Sequence, residues 1–135
     1  MNKFTLDNST RIHFGKGQAA RLADEVSNDE TVLLLYGGGS IKKNGIYEQV
    51  VEGLRLCRPL EFSGVQPNPK YEPLMEAVAL CKQQRVSLIV AVGGGSVIDA
   101  AKFIAAGACY DGDPWDLFTG KAKVASALAV GSVLT

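Results

Sequence analysis

The sequence predicts a single α/β domain: a parallel sheet with helices on both faces. Two observations carry that expectation. The runs Val32-Leu33-Leu34-Leu35-Tyr36 and Leu88-Ile89-Val90-Ala91-Val92 are apolar without alternation. Strands buried on both faces read this way, and parallel sheets are built from them. Each run is followed by the same four residues, Gly37-Gly38-Gly39-Ser40 and Gly93-Gly94-Gly95-Ser96, and then by a helix-compatible stretch. Right-handed crossovers would set both glycine turns at the carboxyl edge of the sheet, where open α/β sheets bind ligands.

The elements follow in order. Phe4-Thr5-Leu6 and Arg11-Ile12-His13-Phe14 flank the polar turn Asp7-Asn8-Ser9-Thr10 and predict an N-terminal β-hairpin. Residues 18–27 carry Ala19, Leu22, Ala23 and Val26 at helical spacing. The first buried strand covers 31–36. After the first glycine turn, Ile46, Val50, Leu54 and Cys57 predict a helix over 45–57. Leu60-Glu61-Phe62 reads as a short strand, and Gln66-Pro67-Asn68-Pro69 as a loop, since each proline holds its predecessor extended. Leu74, Ala77, Val78 and Cys81 predict a helix over 71–85, with Pro73 tolerated in its first turn. The second buried strand covers 87–92. The helix after it groups Val97, Ala101, Ile104 and Ala105 and ends near Gly107. Asp111-Gly112-Asp113-Pro114 is a turn, Trp115–Phe118 one turn of helix, and 126–130 and 132–134 further strand. The pattern leaves the strand order open. The chain stops on the apolar run Gly131-Ser132-Val133-Leu134-Thr135, which predicts a truncated product or the first domain of a longer enzyme.

Composition narrows the function classes. The chain has 135 residues, 47% of them hydrophobic, enough for one domain with its own core. Its 14 basic and 14 acidic residues cancel, with no basic stripe for a nucleic acid. No apolar run approaches the ~20 residues of a membrane helix, and the first residues lack the apolar core of a signal peptide. The expectation is a cytoplasmic protein. Cys57, Cys81 and Cys109 are odd in number and form no CxxC pair, which predicts buried or half-buried reduced thiols. His13 is the one histidine, so no metal cage and no Ser/His/Asp or Cys/His set can be assembled around it.

The glycine turns are the candidate site. Glycines let backbone N–H groups approach a ligand, and the first N–H groups of a helix are unpaired and partly positive. Two such turns suit a ligand with more than one phosphate. The spacing fits neither the P-loop nor G-x-G-x-x-G. Ser40, Lys42 and Lys43 follow the first turn. Lysines at a helix start oppose the macrodipole, which favours a bound anion over two merely solvated charges. No Asp or Glu stands in or just after this turn to accept from a ribose 2′-hydroxyl. That tilts the reading toward a 2′-phosphorylated cofactor. Asp99, one helical turn past Ser96, and Lys102 belong to the second helix; Asp99 either faces the crevice or complements the helix dipole. Asn68, between two prolines, is either a ligand clamp or part of an ordinary turn.

Five motifs in order resemble one family along the whole chain. They are Thr10-Arg11-Ile12-His13-Phe14-Gly15-Lys16-Gly17, Tyr36-Gly37-Gly38-Gly39-Ser40-Ile41-Lys42-Lys43, Gln66-Pro67-Asn68-Pro69, Val92-Gly93-Gly94-Gly95-Ser96-Val97-Ile98-Asp99-Ala100-Ala101-Lys102 and Asp113-Pro114-Trp115-Asp116. They look like the iron-containing (group III) alcohol dehydrogenases, in the branch of NADPH-dependent aldehyde reductases and butanol dehydrogenases. The resemblance implies a Rossmann-like, dehydroquinate synthase-like N-terminal domain over residues 1–135 that binds NADP(H). It implies a helical C-terminal domain, absent from this chain, that holds a divalent metal (iron or zinc). In such enzymes Gly37, Gly38, Gly39 and Ser40, with Lys43, would face the 2′-phosphate, and Gly94, Gly95 and Ser96 the pyrophosphate. Asn68 would lie along the cofactor, Asp99 toward the nicotinamide, and Thr135 would touch the cofactor. The substrate would be a small alcohol or aldehyde, and the N-terminal strands would pair across a homodimer. With no metal ligands of its own, the isolated chain would be inactive and would carry no catalytic residue. Two alternatives stay open: a non-catalytic nucleotide-binding module, and a relative of glycerol dehydrogenase or of the sugar-phosphate cyclases.

Overall fold

The computed structural model describes Lys3 and residues 5–135. Its core is a parallel sheet of β1 (Val32–Tyr36), β2 (Leu60–Phe62), β3 (Leu88–Gly93) and β4 (Ala129–Leu134), in the order β2-β1-β3-β4. All three strand pairs are parallel, with Leu35 opposite both Phe62 and Ala91, and Ala91 opposite Ser132. The helices are α1 (Leu22–Glu25, after a 3₁₀ turn at Gln18–Arg21), α2 (Ser40–Lys43), α3 (Ile46–Gly53), α4 (Tyr71–Gln84), α5 (Gly95–Ala108) and α6 (Trp115–Phe118).

The unbroken apolar strands are explained by helices on both sides. Every residue of β1 is buried. Leu33 and Leu35, with Ile89 and Ala91 of β3, pack against Leu74, Ala77 and Val78 of α4 and Ala101, Ile104 and Ala105 of α5. Val32, Leu34 and Tyr36, with Val90 and Val92, pack against Ile41 of α2, Val50 of α3 and Leu54. Each fully buried Leu, Ile or Val contributes ~1.5–3 kcal/mol, against ~0–1 kcal/mol for a surface ion pair. The two apolar layers therefore hold the fold. Helix α4 closes where Arg85 turns left-handed at φ 54°, and the Val86 amide bonds back to the Cys81 carbonyl at 2.9 Å. A cluster of Tyr71, Phe103, Trp115 and Phe118 lays the segment after α5 back across α4 and α5, with Phe103 and Phe118 stacked at 4.3 Å.

The chain leaves β1 toward β2 on one side and returns past it to β3 on the other. The connections therefore reverse direction between β1 and β3, the place where such sheets open a crevice at their carboxyl ends. The two strands at that reversal are the two that end in glycine turns.

The N-terminal hairpin is not formed. Residues 5–14 carry no strand, and Phe4 lies outside the described residues. Leu6, Ile12 and Phe14 are exposed, Phe14 at 98%. A two-stranded ribbon with nothing to pack on is marginal. The segment is tied down by charge instead: Arg11 Nη1 donates to both Glu25 carboxylate oxygens, at 2.8 and 2.7 Å, and His13 Nε2 lies 3.0 Å from Glu25 Oε1. The Arg11 hydrogen bonds, then that of His13, hold the Glu25 carboxyl below the usual carboxylate range. Three further elements differ from expectation. The helix over 18–27 is split into a 3₁₀ turn and one α turn, and α3 ends at Gly53, although Leu54 still packs as the periodicity requires. The last two strand fragments are one strand, β4, running through Gly131. Cys81 is buried and Cys57 half-buried, but Cys109 is exposed at the end of α5.

Burial pushes the Cys81 thiol up to about 11, and desolvation also raises that of Cys57, whose Sγ donates to the Ser27 carbonyl. Titration with an aromatic disulfide at neutral pH should therefore modify Cys109 first and reach Cys81 only on unfolding. Gly93 has φ 153°, and a Cβ there would lie 2.7 Å from Val97 Cγ2. Gly93→Ala should destabilise the chain by ~1–3 kcal/mol, read as a lower urea midpoint at unchanged m.

Candidate functional site

The first turn leaves β1 at Tyr36. Beyond β2 the chain keeps hugging it: Gly64 N–H donates to the Gly37 carbonyl at 2.9 Å, and Val65 N–H to that of Tyr36 at 3.3 Å. A Cβ on Gly37 would sit 3.0 Å from the Val65 carbonyl oxygen, so a side chain there needs the backbone at Val65 to give. The second turn leaves β3 at Gly93. Gly94 caps α5, and its carbonyl accepts from the amides of Val97 and Ile98 at 3.1 and 3.2 Å. The amides of Gly95 and Ser96 precede any intrahelical partner and open onto the sheet edge. Val97 joins the two turns. Its Cγ2 lies 2.7 Å from the Cβ position of Gly93 and 3.7 Å from that of Gly37.

Four glycines have no such reason to be glycine. A Cβ on Gly38, Gly39, Gly94 or Gly95 would meet nothing within 4 Å, and none of the four has a left-handed φ. An alanine would fit the fold at each. Their missing side chains clear space on the solvent side of the two turns, before α2 at Gly38 and Gly39 and before the free end of α5 at Gly94 and Gly95.

The structure gathers several candidate residues here and leaves others at the rim. Ser40, exposed, begins α2. Thr135 comes to the second turn, its amide donating to the Gly93 carbonyl at 3.1 Å. Asp99 and Lys102 are exposed on α5. Asn68 is exposed on the loop after β2 in the left-handed region at φ 57°, a conformation asparagine tolerates well. Beside it, Phe62, Val65, Pro69 and Leu74 line part of a recess of about 260 Å³. That recess contains no glycine of either turn, and the exposure of Gly38, Gly39, Gly94 and Gly95 makes the edge itself an open shelf.

The lysines depart from expectation. Helix α2 is a single turn, so its start and its end coincide and the dipole argument made for Lys42 and Lys43 has no extended helix to act on. Lys42 Nζ lies 4.8 Å from the Tyr47 ring centroid and 5.6 Å from that of Tyr36, within cation–π range. Lys43 is exposed, and no ion pair engages it among the described residues.

Sequence reasoning named Gly93 and Val97 but missed the contact between them, and it missed Tyr47 and Glu61. That contact was findable, as a strand-ending glycine with a β-branched residue four positions on. The Tyr47 hydroxyl donates to Glu61 Oε1, a pairing across 14 residues with no local signature. Among the described residues no group of three His, Cys, Asp or Glu is placed to hold a metal.

Comparison with known proteins decides the family. The sequence profile of the iron-containing alcohol dehydrogenases matches residues 9–135. The chain belongs to that family. It is 50% identical over its whole length to NADPH-dependent aldehyde reductase YqhD of Escherichia coli K12, and 49% identical to probable NADH-dependent butanol dehydrogenase 1 of Bacillus subtilis. It covers 36% of each of those relatives. The crystal structure of NADH-dependent butanol dehydrogenase A from Thermotoga maritima superposes with a TM-score of 0.92 at 47% identity, over all of this chain and 35% of that one. The chain thus spans about a third of the length of these family members. Their names assign NADPH to one and NADH to the others.

Gly95→Ala should leave the unfolding free energy within ~1 kcal/mol of wild type, since alanine favours helix and meets no neighbour. Equilibrium denaturation beside Gly93→Ala separates the two kinds of glycine.

Proposed function

We propose that this chain is the NADP(H)-binding domain of a metal-dependent alcohol dehydrogenase or aldehyde reductase. The observation that carries the proposal is the shelf of four glycines that the fold does not require, at the strand-order reversal and, for Gly94 and Gly95, before the free end of a long helix. Backbone amides of Gly94, Gly95 and Ser96 would bind the pyrophosphate. The α5 macrodipole adds ~0.3–1 kcal/mol for an anion at that end. Gly38, Gly39, Ser40 and Lys43 would take the adenosine 2′-phosphate, with Gly37 setting the turn. Asn68 would flank the cofactor, Asp99 would face the nicotinamide side, and Thr135 would close the second turn.

When bound, the nicotinamide exchanges hydride with the carbon of a small alcohol or aldehyde. The residues of this chain orient it. Hydrogen-bonded phosphates fix the dinucleotide at its adenosine half, and the apolar wall of Val97 and Val65 supports the turns from beneath. The donor set for a divalent metal, iron or zinc, is not present among the described residues, so no step through a metal is derived. In this reading the metal and the alcohol-facing residues belong to the helical part that such enzymes carry outside residues 1–135. We place the protein in the cytoplasm, a reading supported by three free cysteines and by the lack of any helix long and apolar enough to cross a membrane among the described residues. Residues 5–14, with Leu6, Ile12 and Phe14 exposed, would pair across a homodimer.

Titrating the chain with NADPH and NADH by nicotinamide fluorescence tests the reading. NADPH should bind more tightly. Lys43→Ala should weaken NADPH about fivefold and leave NADH unchanged, the scale of one exposed charge contact. Gly95→Ala should weaken both. Equal affinities for the two cofactors would remove the 2′-phosphate assignment, and no binding of either would remove the cofactor reading.

A further inference from the structure

An aromatic and charged cluster stands beside the first glycine turn. Tyr36 ends β1 directly before the first glycine turn. The Tyr47 ring, on the first turn of α3, meets it edge-on at 5.9 Å. Lys42 rests over both rings. The Tyr47 hydroxyl donates to Glu61, the middle residue of β2, three residues before the Gly64 amide that docks on Gly37. Tyr47 thus carries a cation on its face and a carboxylate on its hydroxyl.

The arrangement is unusual in what it avoids. Glu61 is an exposed acid and Lys42 an exposed base on the same tyrosine, yet no ion pair joins them. Glu61 also lies near the end of the second strand, 24 residues past Gly37. In dinucleotide-binding βαβ units an acid about 20 residues beyond the first glycine accepts from the ribose 2′-hydroxyl. An acid free at that rim would neutralise Lys42 and repel a 2′-phosphate.

We propose that Tyr47 is a specificity-setting positioning residue: its hydroxyl holds Glu61 away from Lys42 and from the ribose side of the first turn, and its ring keeps Lys42 as an unneutralised cation there. The proposal rests on the first turn receiving the 2′-phosphate. It deepens that reading by making cofactor choice depend on a hydrogen bond that touches no cofactor. The donor role is robust, because bonding to Glu61 pushes the Tyr47 hydroxyl up to about 12, which keeps the phenol protonated at any working pH.

Three variants test it: Tyr47→Phe, Glu61→Gln and the double variant. Phenylalanine keeps the ring against Tyr36 and the face under Lys42, and removes only the donor. The measurement is the ratio of NADH to NADPH dissociation constants at low ionic strength, with thermal melts to confirm folding. Tyr47→Phe should lower that ratio about fivefold, mainly by weakening NADPH, as one freed carboxylate at an exposed site allows. Glu61→Gln should hold or raise it. The double variant should return the ratio to about the wild-type value, since no charge remains to be held back. A wild-type preference for NADPH that survives Tyr47→Phe overturns this proposal alone. So does an equal loss for both cofactors, or a double variant no better than Tyr47→Phe. A wild-type ratio of one overturns the 2′-phosphate reading itself, and this proposal with it.

Discussion

The carboxyl edge depends on one close fit, Val97 of α5 against the glycines that end β1 and β3. Gly93 adopts a φ that side chains rarely allow, and Val97 fills the space its Cβ would need. A Cβ at Gly37 would press on the Val65 carbonyl on one side and reach ordinary contact with Val97 on the other. This packing lets the first turn of α5 start against the sheet and not above it. A larger residue at Gly93 would press on Val97 of α5, and one at Gly37 on the backbone at Val65.

The same economy of side chains runs down the helix. Ala100, Ala101, Ala105 and Ala106 bury the inner face of α5, and Gly107 brings it within reach of Val78 on α4. Small residues give a tight helix–sheet contact, and the bulk of the layer comes from the leucines and isoleucines of the strands and from α4. The opposite layer, under α2 and α3, is built from larger side chains, Ile41, Val50 and Leu54, and ends at Tyr36. The aromatic and charged cluster at Tyr36 sits where that layer runs out of apolar partners. There Tyr47 presents a wet hydroxyl and a dry ring at once.

Much of this was legible in the sequence. The non-alternating runs predicted β1 and β3 because burial on both faces leaves no polar position to mark a face. The repeated Gly-Gly-Gly-Ser predicted their shared edge. What the pattern could not carry was partnership. Arg11-Ile12-His13-Phe14 alternates as a half-buried strand should, but alternation describes a face and supplies nothing to bury it against; Arg11 and His13 find Glu25 instead. The length of the helix under the lysines was not legible: Asn44 and Gly45, the latter at φ 80°, stop α2 after one turn, too short for a dipole argument to carry weight. The strand order, and with it the reversal beside both turns, follows from pairings between segments that share no local signal.

The glycines within one motif therefore do different work. Gly37 and Gly93 are held by packing and backbone conformation, while Gly38, Gly39, Gly94 and Gly95 are free of both. On the proposed reading the second turn recognises its phosphates through backbone amides, which every nicotinamide dinucleotide satisfies equally. The first turn adds side chains, Ser40 and Lys43, with Lys42 and Glu61 behind them. Backbone recognition cannot distinguish the two cofactors, because both carry the same pyrophosphate. Side chains can, and they change without disturbing the Val97 packing that both turns share. Relatives about half identical to this chain carry names with NADPH and with NADH, as expected if a common backbone cradle is paired with a separately adjustable charge at its rim.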